Sequence, residues 1–158
     1  MSQPLLVEPN AYGNPEIVAV KGFLREEQLK NLLAMSVFEP TPEKLERFIK
    51  VYTEHPSICA LGYHKADRWL GLLIAKRYGE ELELRCISVD QPAQRQGIGS
   101  KLLQACIERH APSKVAAETD REGIGFYRSL GFECVSLGDI YGGGEERFQC
   151  TLNLRERY

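Results

Sequence analysis

The chain has 158 residues, with 20 lysines and arginines against 22 aspartates and glutamates, and a formal net charge of −2. A chain of about this length buries a sizeable core without disulfides or metals, so we expect one domain over residues 1–158. The near-neutral charge argues against a dedicated nucleic-acid binder, which carries a basic surplus. No apolar run approaches the ~18 residues of a membrane span, and the first residues lack a signal-peptide pattern. We therefore expect a cytoplasmic protein without nucleic-acid or membrane partners.

The cysteines and histidines give no linear signature of a disulfide framework or a metal site. The five cysteines are odd in number and widely separated: Cys59, Cys86, Cys106, Cys134 and Cys150. The three histidines also lack metal-ligand spacing: His55, His64 and His110. Cys86 and Cys106 fall on apolar faces of predicted elements, which is typical of buried hydrophobic cysteines. We expect reduced thiols and no bound metal.

The first third of the chain predicts a strand and two helices. Residues 1–15 hold three prolines and a glycine, which indicates an irregular arm. Glu16–Lys21 predicts a strand, and apolar residues at helical spacing predict a helix within Leu24–Met35. A second helix is predicted after Thr41 as N-cap and Pro42 in the first turn, with an apolar stripe at i, i+3, i+4 and i+7. That stripe is most simply a core face.

The remaining two thirds predict a sheet interrupted by helices. Three antiparallel strands with a first turn at His64–Asp67 are followed by a helix that begins near Ile98 and ends before Pro112. Gly131 is placed to end a further helix, which is short. The predicted strands and short helix are Ser57–Tyr63, Arg68–Lys76, Leu82–Val89, Lys114–Glu118, Ile124–Leu130 (helix), Phe132–Leu137 and Arg147–Leu154. The order β-α-α-β-β-β-α-β-α-β-β is that of an α+β sheet protein.

The segment Val89–Leu103, VDQPAQRQGIGSKLL, has the features of an anion site, because Gly97 and Gly99 stand where a strand leads into a helix. Glycines let a ligand approach the backbone, and the N–H groups and dipole of a helix start attract anions. A Walker loop is excluded because no glycine lies five residues before Gly97. A Rossmann fingerprint is disfavoured because Leu102 replaces its third glycine, although Asp120 falls about where a ribose-binding acid could lie.

Two motifs in this region resemble those of one enzyme family. Gln94–Gly99 (QRQGIG) resembles [QR]-x-x-G-x-[GA], the acetyl-coenzyme A signature of the GCN5-related N-acetyltransferase (GNAT) family. Phe126–Phe132 (FYRSLGF) resembles the family's second hallmark, F-Y-x-x-x-G-F. The resemblance is specific over residues 82–134. It implies the α+β GNAT fold, a mixed, mostly antiparallel central sheet flanked by helices.

The resemblance also implies acetyl-coenzyme A as co-substrate, without a metal. Backbone amides at the helix start would hold the pyrophosphate, and main-chain groups of the preceding strand would hold the pantetheine arm. Asp120 stands where many members have asparagine, and it can accept but not donate a hydrogen bond there. The residues that the resemblance assigns to the coenzyme are Ile87, Ser88, Val89, Gln94, Arg95, Gln96, Gly97, Ile98, Gly99, Ser100, Asp120 and Tyr127.

Two side chains are the candidate catalytic groups. Tyr127 matches the family's tyrosine, which protonates the leaving thiolate, and its alternative role is packing within a short helix. Glu83 falls where some members carry a glutamate that removes a proton from the amine. On an alternating strand an outward glutamate is ordinarily just solvated, and Glu81 is a neighbour of equal chemistry.

The implied reaction is direct acetyl transfer to the primary amine of a small molecule. The alternatives are a protein lysine or N-terminal acetyltransferase, and a catalytically idle coenzyme A-binding sensor. Acidic residues near the expected acceptor cleft predict attraction of a cationic amine, unless they are ordinary solvated charges. These residues are Glu39, Glu43, Asp139, Glu145 and Glu146. Because many relatives pair through their sheets, a homodimer is among the states to expect.

Overall fold

A computed structural model describes residues 16–154 of the protein, so the arm predicted for residues 1–15 lies outside the described residues. Within this range the elements follow the predicted order. The strands are β1 Ile17–Ala19, β2 Ile58–Lys65, β3 Arg68–Tyr78, β4 Glu81–Val89, β5 Lys114–Asp120, β6 Glu133–Gly138 and β7 Arg147–Asn153. The helices are α1 Glu27–Ala34, α2 Pro42–Glu54, α3 Ile98–His110 and α4 Ile124–Ser129. None of these helices is both long and apolar enough to span a bilayer.

The strands form a seven-stranded mixed sheet in the order β1-β2-β3-β4-β5-β7-β6. β4 and β5 run parallel, and three residue pairs join them, from Glu81 opposite Lys114 to Glu83 opposite Ala116. β1 with β2, β2 with β3, β5 with β7 and β6 with β7 are antiparallel. The predicted fold class, a mostly antiparallel mixed sheet with flanking helices, is confirmed.

Helix α2 begins where its sequence predicts. The Thr41 hydroxyl accepts a hydrogen bond from the backbone N–H of Lys44 at 3.1 Å, and Pro42 occupies the first helical position. A threonine cap satisfies one of the N–H groups left over at a helix start, and proline has no N–H to satisfy there. Ile49 and Tyr52, from the predicted apolar stripe, are buried. The stripe is a core face, as expected.

The turn of the β2–β3 hairpin is shorter than the predicted His64–Asp67. It consists of Ala66 and Asp67 alone, with φ angles of 52° and 64°, and Lys65 pairs directly with Arg68. Two consecutive left-handed residues are typical of a type I′ turn, whose twist matches that of a hairpin. His64 lies in the strand, where its ring packs edge-on against the Trp69 ring with the two centroids 4.6 Å apart. The predicted turn was too long because the polar residues His64 and Lys65 made the end of β2 resemble a loop in the sequence.

The chain divides into two compact units, one of residues 16–76 and 85–111 and the other of residues 77–84 and 112–154. The core of the first unit joins α1, α2 and strands β1 to β4, with large side chains that include Leu33, Ile49 and Trp69. The second unit contains β5, β7 and β6 with α4. Its buried side chains include Phe132 and Phe148.

Cys134 and Cys150 form a disulfide in the second unit, which corrects the expectation that all cysteines are reduced. They lie directly opposite each other in the β6–β7 register. They are 16 positions apart in the chain, so no local motif reveals the pair. The antiparallel pairing of two strands brings them together. The three remaining cysteines, Cys59, Cys86 and Cys106, are not disulfide-bonded.

Candidate active site

The loop between β4 and α3 lies in the first unit and contains the predicted anion site. The Gln94 side chain donates a hydrogen bond from Nε2 to the carbonyl oxygen of Val89 at 3.0 Å, which ties the loop to the end of β4. Arg95 has a φ of 67° and Gly97 a φ of 80°. The left-handed conformation suits glycine far better than other residues. The sequence of this loop therefore sets its shape through glycine at position 97.

Gly97 is the N-cap residue of α3 and has no side chain to cover the first N–H groups of the helix. Such uncovered N–H groups, together with the helix dipole, bind phosphate and other anions. The residues from Gln94 to Gly97 are exposed, whereas Ile98 and Gly99 are buried. Ser100 is half-buried in the first turn. The helix start is thus anchored by apolar packing, and the loop residues that lead into it are exposed.

The end of β4 leads into this loop. Ser88 is buried, while Ile87 and Val89 are half-buried, and all three lie beyond the pairs that join β4 to β5. Asp90 follows, with its N–H donating to the carbonyl oxygen of Leu70 at 2.8 Å. The Asp90 carboxylate accepts a hydrogen bond from the guanidinium of Arg68 at 3.0 Å. These contacts with β3 fix the position from which the loop starts.

Tyr127 lies in α4, in the second unit, and is 7% exposed. The rings of Phe126 and Phe132 contact its ring edge-on, each with a centroid distance of 5.2 Å. The N–H of Phe132 donates to the carbonyl oxygen of Tyr127 at 3.1 Å, which closes the end of the helix. The F-Y-x-x-x-G-F motif therefore has a structural role, which is to hold the Tyr127 ring in one orientation.

Asp120 ends β5, and its carboxylate accepts a hydrogen bond from the backbone N–H of Gly123 at 3.0 Å. This contact fixes the turn that leads into α4. The position predicted to contact the coenzyme therefore also shapes the chain on which Tyr127 is held. The asparagine of other members, through its side-chain oxygen, can accept the same bond.

The two neighbouring glutamates of β4 differ in environment. Glu81 is exposed and forms an ion pair with Lys114 at 3.6 Å. Glu83 is half-buried opposite Ala116 in the β4–β5 pairing. Both lie in the second unit. Burial and the ion pair with Lys114 therefore distinguish the two neighbours, and Glu83 is the one that is partly withdrawn from solvent.

The sequence profile described as "Acetyltransferase (GNAT) domain" matches residues 56–134, which include the loop and Tyr127. The chain belongs to the GNAT acetyltransferase family. Among curated proteins, a sequence search finds no match. The family assignment therefore comes from the profile, and it confirms the resemblance of the two motifs.

Solved structures share the GNAT fold of this chain. An aminoglycoside 6'-N-acetyltransferase in complex with coenzyme A is 17% identical, with a TM-score of 0.71 over 80% of this chain and 89% of its own. A GNAT family acetyltransferase from Elizabethkingia anophelis with acetyl-CoA bound is 19% identical, with a TM-score of 0.64 over 87% and 97%. The ribosomal-protein-S18-alanine N-acetyltransferase from Escherichia coli is 18% identical, with a TM-score of 0.64 over 87% and 92%.

A cavity of about 520 Å³ lies in the first unit of this GNAT chain, beside the break between α1 and α2. Its volume falls within the range of pockets that hold small molecules. Aromatic and aliphatic side chains, among them Phe48 and Tyr52, form much of its wall. Three cationic side chains, Lys44, Arg47 and Arg85, also line it. The cavity thus offers apolar contacts and positive charge together.

The acidic residues predicted to attract a cation are partly engaged elsewhere. Glu146 pairs with the Arg121 guanidinium and accepts a hydrogen bond from the Ser136 hydroxyl. The Asp139 carboxylate accepts a hydrogen bond from the N–H of Gly144 at 2.8 Å. The remaining three are exposed: Glu39, Glu43 and Glu145. An ion pair offsets the charge of Glu146, so this loop is a weaker source of field than its sequence suggests.

The structure also brings together three residues for which the sequence predicted no joint role. Cys59 of β2 lies beside Cys106 and His110 of α3, with one ligand-type atom from each within 4.8 Å of the others. A hydrogen bond with Cys106 lowers the pKa of the Cys59 thiol, and His110 and Arg109 add to the lowering while burial opposes it. Cys59 lies on a strand far from α3 along the chain, so spacing in the sequence did not reveal the cluster.

Proposed function

We propose that this protein is an acetyl-coenzyme A-dependent N-acetyltransferase that acts on the primary amine of a small molecule. The observation that carries the proposal is the left-handed Gly97 at the start of α3, within a loop that matches the coenzyme signature of the family. The first N–H groups of α3, which no N-cap side chain covers, suit a pyrophosphate. Two GNAT neighbours were solved with coenzyme A or acetyl-CoA bound, which supports the same co-substrate here.

The reaction we propose is a direct attack of the amine nitrogen on the thioester carbonyl. A C–N bond forms, negative charge develops on the carbonyl oxygen, and the C–S bond then breaks. The backbone N–H of Val89 is proposed to stabilise that charge. Glu83 is proposed to take one proton from the incoming ammonium before the attack, and Tyr127 to give a proton to the departing thiolate. The second proton that the nitrogen loses as the amide forms passes to solvent, from which Tyr127 regains its own. No covalent acyl-enzyme is required.

The cavity beside α1 and α2 supports a small-molecule acceptor over a protein one. It is concave and sized for a small ligand, and it lies next to the helices that border the acceptor cleft in this family. A protein substrate is instead accommodated by an open groove or a flat surface. We propose this cavity as the place where the acceptor's body binds.

The charge of the acceptor separates two versions of the proposal. The exposed acids Glu39, Glu43 and Glu145 support a cationic amine, as the sequence predicts. Lys44, Arg47 and Arg85 line the cavity itself and support an acceptor that also carries a carboxylate or phosphate. Charged groups in the cavity wall would lie closer to a bound acceptor than the acids in the loops, and their interaction with it would be screened less. We therefore favour the anionic version.

A panel of amines with acetyl-CoA, read as the free thiol of released coenzyme A, tests the function. The panel holds amino acids with acidic and basic side chains, polyamines, an aminoglycoside and a peptide with a free N-terminus. We expect the largest kcat/KM with an aminoalkyl carboxylate or phosphate. Arg47→Gln should reduce it about 10-fold or more, because hydrogen bonds to charged groups contribute ~1.5–3 kcal/mol. Lys30→Gln, on the neighbouring helix but outside the cavity lining, is the control.

Other outcomes of the panel select the alternatives. Turnover only with the peptide would indicate that the acceptor is a protein. A preference for polyamines that falls with salt would favour the cationic version. Coenzyme binding without thiol release by any amine, with Tyr127 intact, would favour the idle sensor.

A further inference from the structure

We propose that Cys59, Cys106 and His110 form a zinc site with two thiolate ligands, one imidazole ligand and a water. The three side chains lie in the first unit, where β2 supplies Cys59 and the last turn of α3 supplies Cys106 and His110. The proposal is independent of acetyl transfer. It also departs from the expectation of no metal, which rested on spacing along the chain.

The geometry of the cluster fits a tetrahedral ion. The three ligand-type atoms lie within 4.8 Å of one another. With Zn–S bonds of about 2.3 Å and Zn–N bonds of about 2.0–2.1 Å, tetrahedral ligand atoms are about 3.5–3.8 Å apart. The side chains therefore need to close by up to about 1.3 Å, which rotamer adjustments supply. Cys106 and His110, four residues apart, project from the same helix face.

The surroundings favour a soft divalent cation. Two thiolates and an imidazole select zinc over the hard cations that prefer oxygen ligands. The carbonyl end of α3 lies at the cluster, since His110 is its last residue and Ala111 its C-cap. The negative end of the helix dipole stabilises a cation there. Cys106 is buried, whereas Cys59 and His110 are half-buried, so a water can reach the fourth position.

The test uses the full chain with the Cys134–Cys150 disulfide intact, stripped of metal with a chelator and kept free of oxygen. Zinc chloride is titrated against a chromophoric competitor, and cobalt chloride is followed by its absorption. We expect one zinc per chain with a Kd below about 1 μM. We also expect a thiolate-to-cobalt charge-transfer band with the visible bands of tetrahedral cobalt. Saturating zinc should raise the melting temperature through mass action.

Variants assign the site. Cys106→Ser and His110→Ala should each weaken zinc binding at least about 100-fold, because losing a ligand costs more than losing its supporting group. Cys86→Ala, at the third cysteine that is not disulfide-bonded and outside the cluster, should bind zinc normally. Melting without zinc checks folding, and His110→Ala carries the test if Cys106→Ser unfolds.

Three results would overturn the proposal. These are a Kd above about 100 μM, unchanged binding in both variants, or a cobalt spectrum of octahedral oxygen ligands. A Cys59–Cys106 disulfide in freshly isolated, metal-free protein would likewise contradict the proposal and would indicate a redox-active cysteine pair instead of a zinc site.

Discussion

Gly71 of β3 lies directly beneath Ile98, the first residue of α3. A Cβ at position 71 would come within 2.8 Å of Ile98 Cγ2 and 3.0 Å of Leu102 Cδ1. The close approach of backbone and helix requires glycine. This contact fixes the position of the start of α3, with its N–H groups, relative to strand β3.

Gly71→Ala should therefore destabilise the protein by about 1–3 kcal/mol, because the added methyl group overpacks this contact. It should also raise the KM for acetyl-CoA, since Ile98 adjoins the loop that we propose binds the coenzyme. Chemical denaturation and initial rates measure the two effects. Gly22→Ala is the matched control, because a Cβ there meets nothing within 4 Å. Equal behaviour of the two variants would show that α3 does not depend on this support.

Tyr127→Phe should lower kcat about 100-fold or more while leaving the KM for acetyl-CoA nearly unchanged. The change removes a hydroxyl and keeps the ring that Phe126 and Phe132 hold. Phe126→Leu, which alters the packing and keeps the hydroxyl, is the control. Full turnover in Tyr127→Phe would leave Tyr127 with a packing role only, and water would have to protonate the thiolate.

Glu83→Gln should reduce turnover most near neutral pH and recover partly as pH rises, because more of the acceptor amine is then already deprotonated. A pH–rate profile of kcat/KM measures this. Glu81→Gln, at the exposed neighbour that pairs with Lys114, should leave the profile unchanged. A uniform loss across pH in Glu83→Gln would indicate a positioning role instead of a base.

Glu16 and Tyr63 give the first unit a defined pH dependence of stability. The Tyr63 hydroxyl donates to Glu16 Oε1 at 2.7 Å. This bond is the largest cause that lowers the pKa of Glu16, and Lys65 adds to it. Burial, and then the same bond, raise the pKa of Tyr63 to about 12. The carboxylate therefore contributes stability that is lost as pH falls through its lowered pKa, and the phenol contributes stability that is lost as pH rises towards 12.

Glu16→Gln should lower the free energy of unfolding at pH 7 by about 0.5–1.5 kcal/mol. It should also remove part of the loss of stability in acid, because glutamine does not titrate. Urea unfolding at several pH values measures both effects. Glu122→Gln, in an exposed turn of the second unit, serves as the control. An unchanged acid limb in Glu16→Gln would contradict the assignment.

Local signals allowed much of the fold and the start of α3 to be predicted, whereas coenzyme binding by the loop before α3 stays a prediction. Thr41 with Pro42 marks the start of α2, and the glycine at position 97 marks the start of α3, because each acts on its own backbone. Contacts between distant strands carry no such signal. The Cys134–Cys150 bond depends on the β6–β7 register, and the Cys59 cluster depends on the packing of α3 against β2. The lining of the cavity likewise comes from residues scattered over α1, α2 and β4.

The central claim is that the loop at Gly97 binds acetyl-coenzyme A, and calorimetric titration tests it most directly. We predict one site per chain. Gly97→Glu should abolish binding, because it places a negative charge where we propose that the pyrophosphate binds, while Gly97→Ala should weaken it through backbone strain alone. Binding of NADH without binding of acetyl-CoA, or unchanged affinity in Gly97→Glu, would contradict the account.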